Sequence, residues 1–236
     1  ALLSIFDSVE VIFHQAALAS VPMSVDNPRL SNEHCVTGTV NVLDAARHSG
    51  VRRVVYAASS AAYGDAPGEY KHEGIVPAPI SPYGVAKLAG EYYALAFNEV
   101  YDLETVALRY FNVFGARQDP DSPYAAVIPI FITRMLEGKQ PIIYGTGEQS
   151  RDFTYIDNIV HGNMLAADAP DAAGKMMNLA TGDVKSLLQL VDSINDVLGT
   201  ETKALHEPAR VGDILHSQAD ISRAQDLLDF VPVVTF

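Results

Sequence analysis

The chain has 236 residues and a formal net charge of −13, with 29 acidic and 16 basic side chains. This balance argues against a protein that binds nucleic acid or anionic membranes by charge, because such surfaces are basic. The single cysteine, Cys35, excludes an internal disulfide and favours a reducing, cytoplasmic compartment. No run approaches about 20 apolar residues, so we expect no membrane span. The seven scattered histidines predict no metal site.

The first half of the chain alternates apolar runs with helical periodicity. Apolar runs predict strands at residues 9–13, 53–58 and 104–110, and periodicity predicts helices at residues 30–49 and 81–100. Strands that are separated by helices of this length form parallel sheets through right-handed crossovers. The sequence therefore predicts an α/β fold with a parallel sheet.

The pattern becomes less regular after Tyr110, where prolines separate shorter elements. We expect a domain boundary near residue 112, with a first domain at residues 1–112 and a smaller lobe at residues 113–236. The elements predicted in this lobe are helices at residues 125–137, 157–168, 186–198 and 221–228 and strands at residues 142–144 and 152–155.

Polar side chains follow several of the predicted strands. His14, Ser59, Ser60 and Asn112 all lie at or just after a strand end. Because open α/β sheets bind ligands at the carboxyl ends of their strands, these residues mark a candidate site.

Tyr83 and Lys87 are spaced i and i+4, so their side chains share one face of the second predicted helix. A phenol ordinarily has a pKa near 10, and a neighbouring cation lowers that pKa towards a value useful for a general base. The spacing alone is also typical of ordinary surface packing. Together with Ser59, however, the pair suits removal of a proton from an alcohol coupled to hydride transfer to a nicotinamide.

Six segments occur in the order found in a known family: HQAA (14–17), AASSAAYG (57–64), SPYGVAK (81–87), LRYFNVFG (108–115), SRDFTYID (150–157) and ARVGDILHS (209–217). Over essentially its whole length the chain resembles the extended short-chain dehydrogenase/reductases of the NAD-dependent epimerase/dehydratase family. Within them it is similar to the nucleotide-sugar 4-epimerases. The resemblance implies a Rossmann-type doubly wound sheet, and a glycine-rich loop and N-terminal βα units expected upstream of residue 1.

The resemblance also implies roles for the candidate residues around a tightly bound NAD. Tyr83 corresponds to the base that acts on the sugar C4 hydroxyl, and Lys87 to the residue that holds the nicotinamide ribose. Ser59 corresponds to a hydrogen-bond partner of the C4 oxygen, with Ser60 as the alternative. The cofactor contacts implied in this way are His14, Ala16, Ala17, Ala57, Ser59, Tyr83, Lys87, Tyr110 and Asn112.

A UDP-sugar substrate follows from the same resemblance. Arg151 and Arg210 match arginines that contact the diphosphate, and Ile143 and Tyr144 match the strand beside the uracil. Asp213 matches a carboxylate that binds a ribose hydroxyl. Further substrate contacts are implied for Ser20, Ser60, Asn112, Val127 and Ser217.

Two positions bear on the reaction and the sugar. The segment Ser59-Ser60-Ala61 lacks the Asp-Glu pair of the family's dehydratases, which favours epimerisation but does not exclude a decarboxylase. A non-catalytic dinucleotide-binding protein is a further alternative. Ser217 matches the position that faces the sugar C2 substituent, and a small residue there leaves room for an N-acetyl group. We therefore expect UDP-N-acetylglucosamine and UDP-N-acetylgalactosamine as substrates.

Cys35 departs from the family pattern, which has asparagine before the Val36–Thr39 segment. The family also commonly forms homodimers through a four-helix bundle. In this chain the bundle would use the helices predicted at residues 30–49 and 81–100.

Overall fold

The computed structural model describes residues 1–68, 70–119, 126–209 and 215–236. The strands in these ranges are β1 (Val11–His14), β2 (Arg53–Ser59), β3 (Tyr70–Lys71), β4 (Glu104–Tyr110), β5 (Asn112–Phe114), β6 (Ile142–Tyr144), β7 (Ser150–Arg151), β8 (Phe153–Tyr155), β9 (Lys175–Leu179), β10 (Lys185–Ser186), β11 (Leu205–Glu207) and β12 (His216–Ala219).

The helices in the same ranges are α1 (Leu2–Ile5), α2 (Val21–Asp26), α3 (Pro28–Asn32), a π-helical segment (Glu33–Thr37), α4 (Gly38–His48), α5 (Pro82–Tyr101), α6 (Val127–Leu136), α7 (Ile156–Asp168), α8 (Leu187–Leu198) and α9 (Ser222–Leu228), with short 3-10 turns at Ser60–Ala62 and Pro170–Ala172. Among these described helices, none combines the length and the apolar character that crossing a membrane requires.

The principal sheet has the strand order β1-β2-β4-β9, and every neighbouring pair is parallel. Residues 53–58 of β2 are all buried, as expected for a central strand that is covered on both faces. One face packs against α4 and α5 through residues such as Leu43 and Ala94. The other face packs against α7 and α9 through residues such as Ile159 and Leu228. The predicted α/β fold with a parallel sheet is confirmed.

The fourth strand of this sheet, β9, comes from the second half of the chain. The helices α7 and α9 that cover the sheet also lie beyond residue 112. The remaining elements of the second half enclose a separate core that includes Ile128, Phe131, Ile143 and Leu190. The division into residues 1–112 and 113–236 remains a prediction, and the sheet itself draws on both ranges.

The structure refines the helix predicted at residues 30–49. The chain forms α3, then the π-helical segment, then α4, and Gly50 follows α4 with a φ of +71°. The Thr39 hydroxyl at the start of α4 donates to the backbone oxygen of Cys35 in the π-helical segment at 2.6 Å. Apolar periodicity cannot reveal this widened turn, because the same residues fit a regular helix.

The start of α5 is fixed by three local contacts. The Ser81 side chain accepts a hydrogen bond from Gly84 N, which caps the helix. The Tyr83 backbone N donates to Ser24 Oγ at 3.0 Å, which joins α5 to α2. A Cβ at Gly84 would lie 2.6 Å from the Ala61 backbone oxygen, so only glycine allows this approach to the end of β2.

A buried ion pair joins the middle of α5 to β4. Arg109 Nε and Nη2 donate to the two carboxylate oxygens of Glu91 at 2.8 and 2.7 Å. Both side chains have 0 % exposure, and the Tyr63 ring lies 4.6 Å from the guanidinium carbon. Two hydrogen bonds in a fixed geometry therefore set how α5 sits along the strand.

We expect Glu91→Gln to lower the free energy of unfolding by about 3 kcal/mol, because it leaves the Arg109 guanidinium buried without its counter-ion. The combined change Glu91→Leu with Arg109→Met should recover most of that loss. Urea unfolding followed by circular dichroism measures both. A loss below about 1 kcal/mol in the single variant would show that the pair does not anchor the helix.

Candidate active site

A cavity with a volume of about 730 Å³ opens at the carboxyl ends of β1, β2 and β4; we call it the central cavity. Its position follows from the parallel sheet, where all strand ends of one direction meet at one edge. The residues singled out from the sequence that line this cavity are Ala17, Ser20, Ala57, Ser59, Ser60, Tyr83, Lys87, Tyr110 and Asn112.

Ser59 and Tyr83 meet in this cavity because β2 ends where α5 begins. The Ser59 hydroxyl forms a hydrogen bond with the Tyr83 phenol, and Ser59 Oγ also accepts from Ala61 N at 3.1 Å. Burial raises the pKa of Tyr83 above its ordinary value, while the hydrogen bond from Ser59 acts in the opposite direction. The two hydroxyls therefore border the same part of the central cavity.

Lys87 lies one turn further along α5 and is buried, with its side chain at the cavity wall. Burial lowers the pKa of its ammonium group to about 8, so the group is still largely charged at neutral pH. The ammonium nitrogen lies 4.6 Å from the centroid of the Tyr56 ring. The sequence led us to expect that Lys87 lowers the pKa of Tyr83, but burial outweighs any such effect here and the pKa of Tyr83 is raised.

The lining of the central cavity fits a nicotinamide nucleotide. Among the residues that the structure describes, none accepts a hydrogen bond from Lys87 Nζ, so this donor is available to a ribose hydroxyl. Ala17 and Ala57 also line the cavity, and their small side chains leave room for a flat ring close to the sheet edge.

Tyr110 is held at the opposite wall by a hydrogen-bonded group that the sequence did not reveal. Its hydroxyl donates to Asn163 Oδ1 at 2.9 Å, and Gln15 Nε2 donates to the same tyrosine oxygen at 3.0 Å. Gln15 lies in the HQAA segment beside residues that we did single out, and it also lines the cavity. Asn112 Nδ2 donates to the Asp152 backbone oxygen at 3.3 Å.

Two of the predicted cofactor contacts are not part of the cavity lining. His14 is buried behind it, with Nε2 at 3.0 Å from Thr39 Oγ1, and burial together with the charge of Lys87 lowers its pKa to about 4. Ala16 is exposed. Ser20 does line the cavity, but its hydroxyl accepts from Met23 N and thereby caps α2.

A second cavity of about 430 Å³, the lateral cavity, lies between α6 and the short strands β6 and β7. It shares Asn112, Val113 and Ala126 with the central cavity, so the two adjoin. Of the predicted substrate contacts, Asn112, Val127, Tyr144 and Arg151 line it.

The lateral cavity has a second cation that the sequence analysis missed. Arg134 lines it from α6, and its Nε donates to the Gln140 backbone oxygen at 2.8 Å. Arg134 follows Val127 by seven residues, and this spacing places both side chains on the same helix face. The seven-residue spacing from Val127 is the feature of the sequence that could have identified Arg134 as a residue of this cavity.

The remaining predicted substrate contacts differ in position. Ile143 is fully buried in the core of the second half, because alternate side chains of β6 point to opposite sides and it is Ile142 and Tyr144 that face the cavity. Ser217 pairs with Arg151 between β12 and β7 and lines neither cavity. Arg210 and Asp213 lie outside the described residues.

Sequence comparison finds relatives along almost the whole chain. A putative UDP-glucose 4-epimerase of Methanocaldococcus jannaschii is 37% identical over 223 residues, which are 94% of this chain and 72% of that protein. The UDP-glucose 4-epimerase of Mycolicibacterium smegmatis is 37% identical over 95% of this chain and 72% of its own length.

Solved structures have the same fold. A UDP-N-acetylglucosamine 4-epimerase from Methanobrevibacter ruminantium M1, in complex with UDP-N-acetylmuramic acid, superposes with a TM-score of 0.94 at 42% identity, covering 98% of this chain and 74% of that one. A UDP-glucuronic acid 4-epimerase from Bacillus cereus, in complex with UDP-glucuronic acid and NAD, gives a TM-score of 0.90 at 30% identity over 99% of this chain and 74% of its own.

These likenesses confirm the Rossmann-type fold class and the resemblance to nucleotide-sugar 4-epimerases. They also confirm the predicted enzyme class, an NAD-dependent isomerase, and NAD as the cofactor. The model of the family described as "NAD dependent epimerase/dehydratase family" matches residues 1–180. The chain belongs to this family.

Proposed function

We propose that this chain carries the catalytic residues of a UDP-hexose 4-epimerase that inverts C4 through a transient 4-keto sugar. The observation that supports this reaction best is the hydrogen-bonded pair of Ser59 and Tyr83 beside Lys87 in one cavity. Such a set handles the proton of an alcohol without a nucleophile or a metal.

In the proposed reaction Tyr83 acts as the phenolate, the form that the hydrogen bond from Ser59 favours against the effect of burial, and it takes the proton of the sugar C4 hydroxyl as the C4–H bond breaks and the C4=O bond forms. Ser59 hydrogen-bonds the same C4 oxygen and passes or stabilises the proton. The chemistry that NAD would supply when bound at this cavity is a hydride acceptor and donor for C4, through which the hydride could return to the opposite face of the sugar. When the hydride returns, Tyr83 gives its proton back to the C4 oxygen, so the overall reaction consumes nothing.

The cofactor is proposed to lie along the strand ends, against Ala17, Ala57 and Tyr110. Lys87 would donate to the nicotinamide ribose, because its ammonium group borders the cavity and no described residue accepts its hydrogen bonds. The hydrogen bonds to Gln15 and Asn163 hold the Tyr110 ring in place and so shape this wall.

The nucleotide half of the substrate is proposed to lie in the lateral cavity. Its lining combines two arginines, Arg134 and Arg151, with Tyr144. In a chain with a net charge of −13, two arginines in one concave surface make a local site for a diphosphate, and an aromatic ring suits a pyrimidine. The shared wall at Asn112 would then bring the sugar into the central cavity.

The proposed sugars are UDP-N-acetylglucosamine and UDP-N-acetylgalactosamine. Ser217 pairs with Arg151 on the neighbouring strand; it lines neither cavity, but its small side chain leaves open the space next to Arg151 that we propose for the N-acetyl group. The 42% identity to the UDP-N-acetylglucosamine 4-epimerase of M. ruminantium supports the same choice of sugars. The alternatives, a decarboxylase, a dehydratase or a non-catalytic dinucleotide-binding protein, predict other products or none.

We further propose that the protein forms a homodimer through α4 and α5. We also propose that it is a cytoplasmic enzyme. Val85, Tyr92 and Val100 of α5 are each more than half exposed, which leaves an apolar face for a partner helix pair. A buried, unpaired thiol at Cys35 suits a reducing compartment.

Tyr83→Phe should reduce turnover of the NAD-loaded protein by a factor of about 10² to 10⁴, because it removes the general base while keeping the ring. The measurement is C4 inversion of a UDP-hexose followed by NMR, which also identifies a decarboxylated or dehydrated product. Tyr101→Phe, at the exposed end of the same helix, is the matched control and should keep normal turnover. Near-normal turnover in Tyr83→Phe would refute this assignment.

Ser217→Tyr should abolish turnover of UDP-N-acetylglucosamine and spare UDP-glucose, because an aromatic ring would occupy the space proposed for the N-acetyl group. Ser217→Ala is the control and should turn over both sugars. Steady-state kinetics with the two substrates gives the comparison. An equal loss for both sugars in Ser217→Tyr would rule out the pocket argument.

A further inference from the structure

The side of Lys87 that faces away from the cavity rests on an aromatic ring. The ammonium nitrogen lies 4.6 Å from the centroid of Tyr56, a residue of β2 that is 1 % exposed. At this separation the negative face of the ring attracts the cation, and burial strengthens the attraction because water does not screen it. Tyr56 itself lines neither the central nor the lateral cavity.

The Tyr56 ring is held in one position. Its hydroxyl lies 3.3 Å from the Lys87 backbone oxygen and also hydrogen-bonds the Thr39 side chain. A Cβ at Gly90 would overlap this hydroxyl, so the glycine makes the space that the phenol occupies. Tyr56 therefore contacts both the backbone and the ammonium group of Lys87.

Lys87 has few other partners in the described part of the chain. The titratable groups that interact with Lys87 are His14 of β1, Cys35 of the π-helical segment and Tyr56 of β2, and the charge interaction with Cys35 raises the pKa of Lys87. His14 is neutral at pH 7, since its pKa is about 4. No described carboxylate forms an ion pair with Lys87, and no described acceptor binds its Nζ.

We propose that Tyr56 is a positioning residue that acts through Lys87, because its ring face holds the ammonium group at the cavity wall. The inference rests on the proposed function in that Lys87 is the ribose-binding cation. It goes beyond that function by assigning a role to a side chain that touches neither the substrate nor the cofactor.

The test compares variants at position 56. Tyr56→Phe keeps the ring and removes the hydroxyl, whereas Tyr56→Leu and Tyr56→Met remove the ring. A ring-fluorinated phenylalanine at position 56 keeps the shape of phenylalanine but weakens the negative charge of the ring face, so it stays informative if the aliphatic variants fail to fold. Tyr101→Leu is the matched control, because Tyr101 lies on the same helix as Lys87 and its ring also contacts a cation, Arg47, at 4.5 Å.

The first readout needs no activity. An NMR titration with lysine labelled at Cε reports the pKa of Lys87, and its signal is identified by its loss in Lys87→Arg. Loss of the ring should lower the pKa of Lys87 by about one pH unit, because the ammonium form loses its partner. The fluorinated ring should lower it part of the way, and Tyr56→Phe and Tyr101→Leu should leave it unchanged.

The second readout is turnover of the NAD-loaded protein. The ring-free variants should lose at least tenfold in kcat, and Tyr56→Phe should lose much less. An unchanged Lys87 titration in the ring-free or fluorinated variants overturns the proposal, and so does a loss in Tyr56→Phe equal to that in Tyr56→Leu. If the titration shifts as expected but Tyr83→Phe keeps its activity, the positioning stands and the proposed function fails.

Discussion

The contact between the first turn of α5 and the carboxyl end of β2 is the constraint on which the candidate site depends. It is made at Gly84, where a side chain would collide with the Ala61 backbone oxygen 2.6 Å away. This approach lets Tyr83, beside that glycine, form its hydrogen bond with Ser59 at the strand end. The proton transfer that we propose for the site depends on this contact.

Contacts further along α5 keep this arrangement rigid. The Glu91–Arg109 pair ties the helix to β4, and Tyr56 ties the intervening turn to β2. These contacts are buried and polar, so each requires a specific geometry that apolar packing alone would not impose. Burying these charges costs free energy, and the paired geometry that offsets this cost also fixes the position of the helix.

The sequence predicted much of this because its strongest patterns are local. The strand β4 is found at its predicted bounds, and the pairing of Tyr83 with Lys87 follows from helical spacing. The strand β9 was missed because Asn178 interrupts its apolar run. Its side-chain amide donates to Lys71 O and Asp220 O at 2.7 and 2.9 Å, so tertiary partners make a polar residue compatible with a buried strand.

The electrostatics of the site could not be predicted from spacing. Spacing indicated that Lys87 is near Tyr83, but not that the ammonium group lies over Tyr56 or that burial raises the pKa of the phenol. Likewise, neighbouring side chains of β6 point to opposite sides of the strand. Ile143 is buried and Tyr144 faces the lateral cavity because the core of the second half lies on the Ile143 side. The electrostatics of Tyr83 and Lys87 and the orientation of β6 both depend on neighbours that come from distant parts of the sequence.

The most direct test of the central claim follows the C4 hydrogen itself. A UDP-hexose labelled with deuterium at C4 is incubated with the NAD-loaded protein in ordinary water, and the product is analysed by NMR and mass spectrometry. Because the proposed reaction returns the same hydride to the other face of C4, we predict an inverted product that keeps its deuterium. An inverted product in which the deuterium has exchanged with solvent would contradict the account.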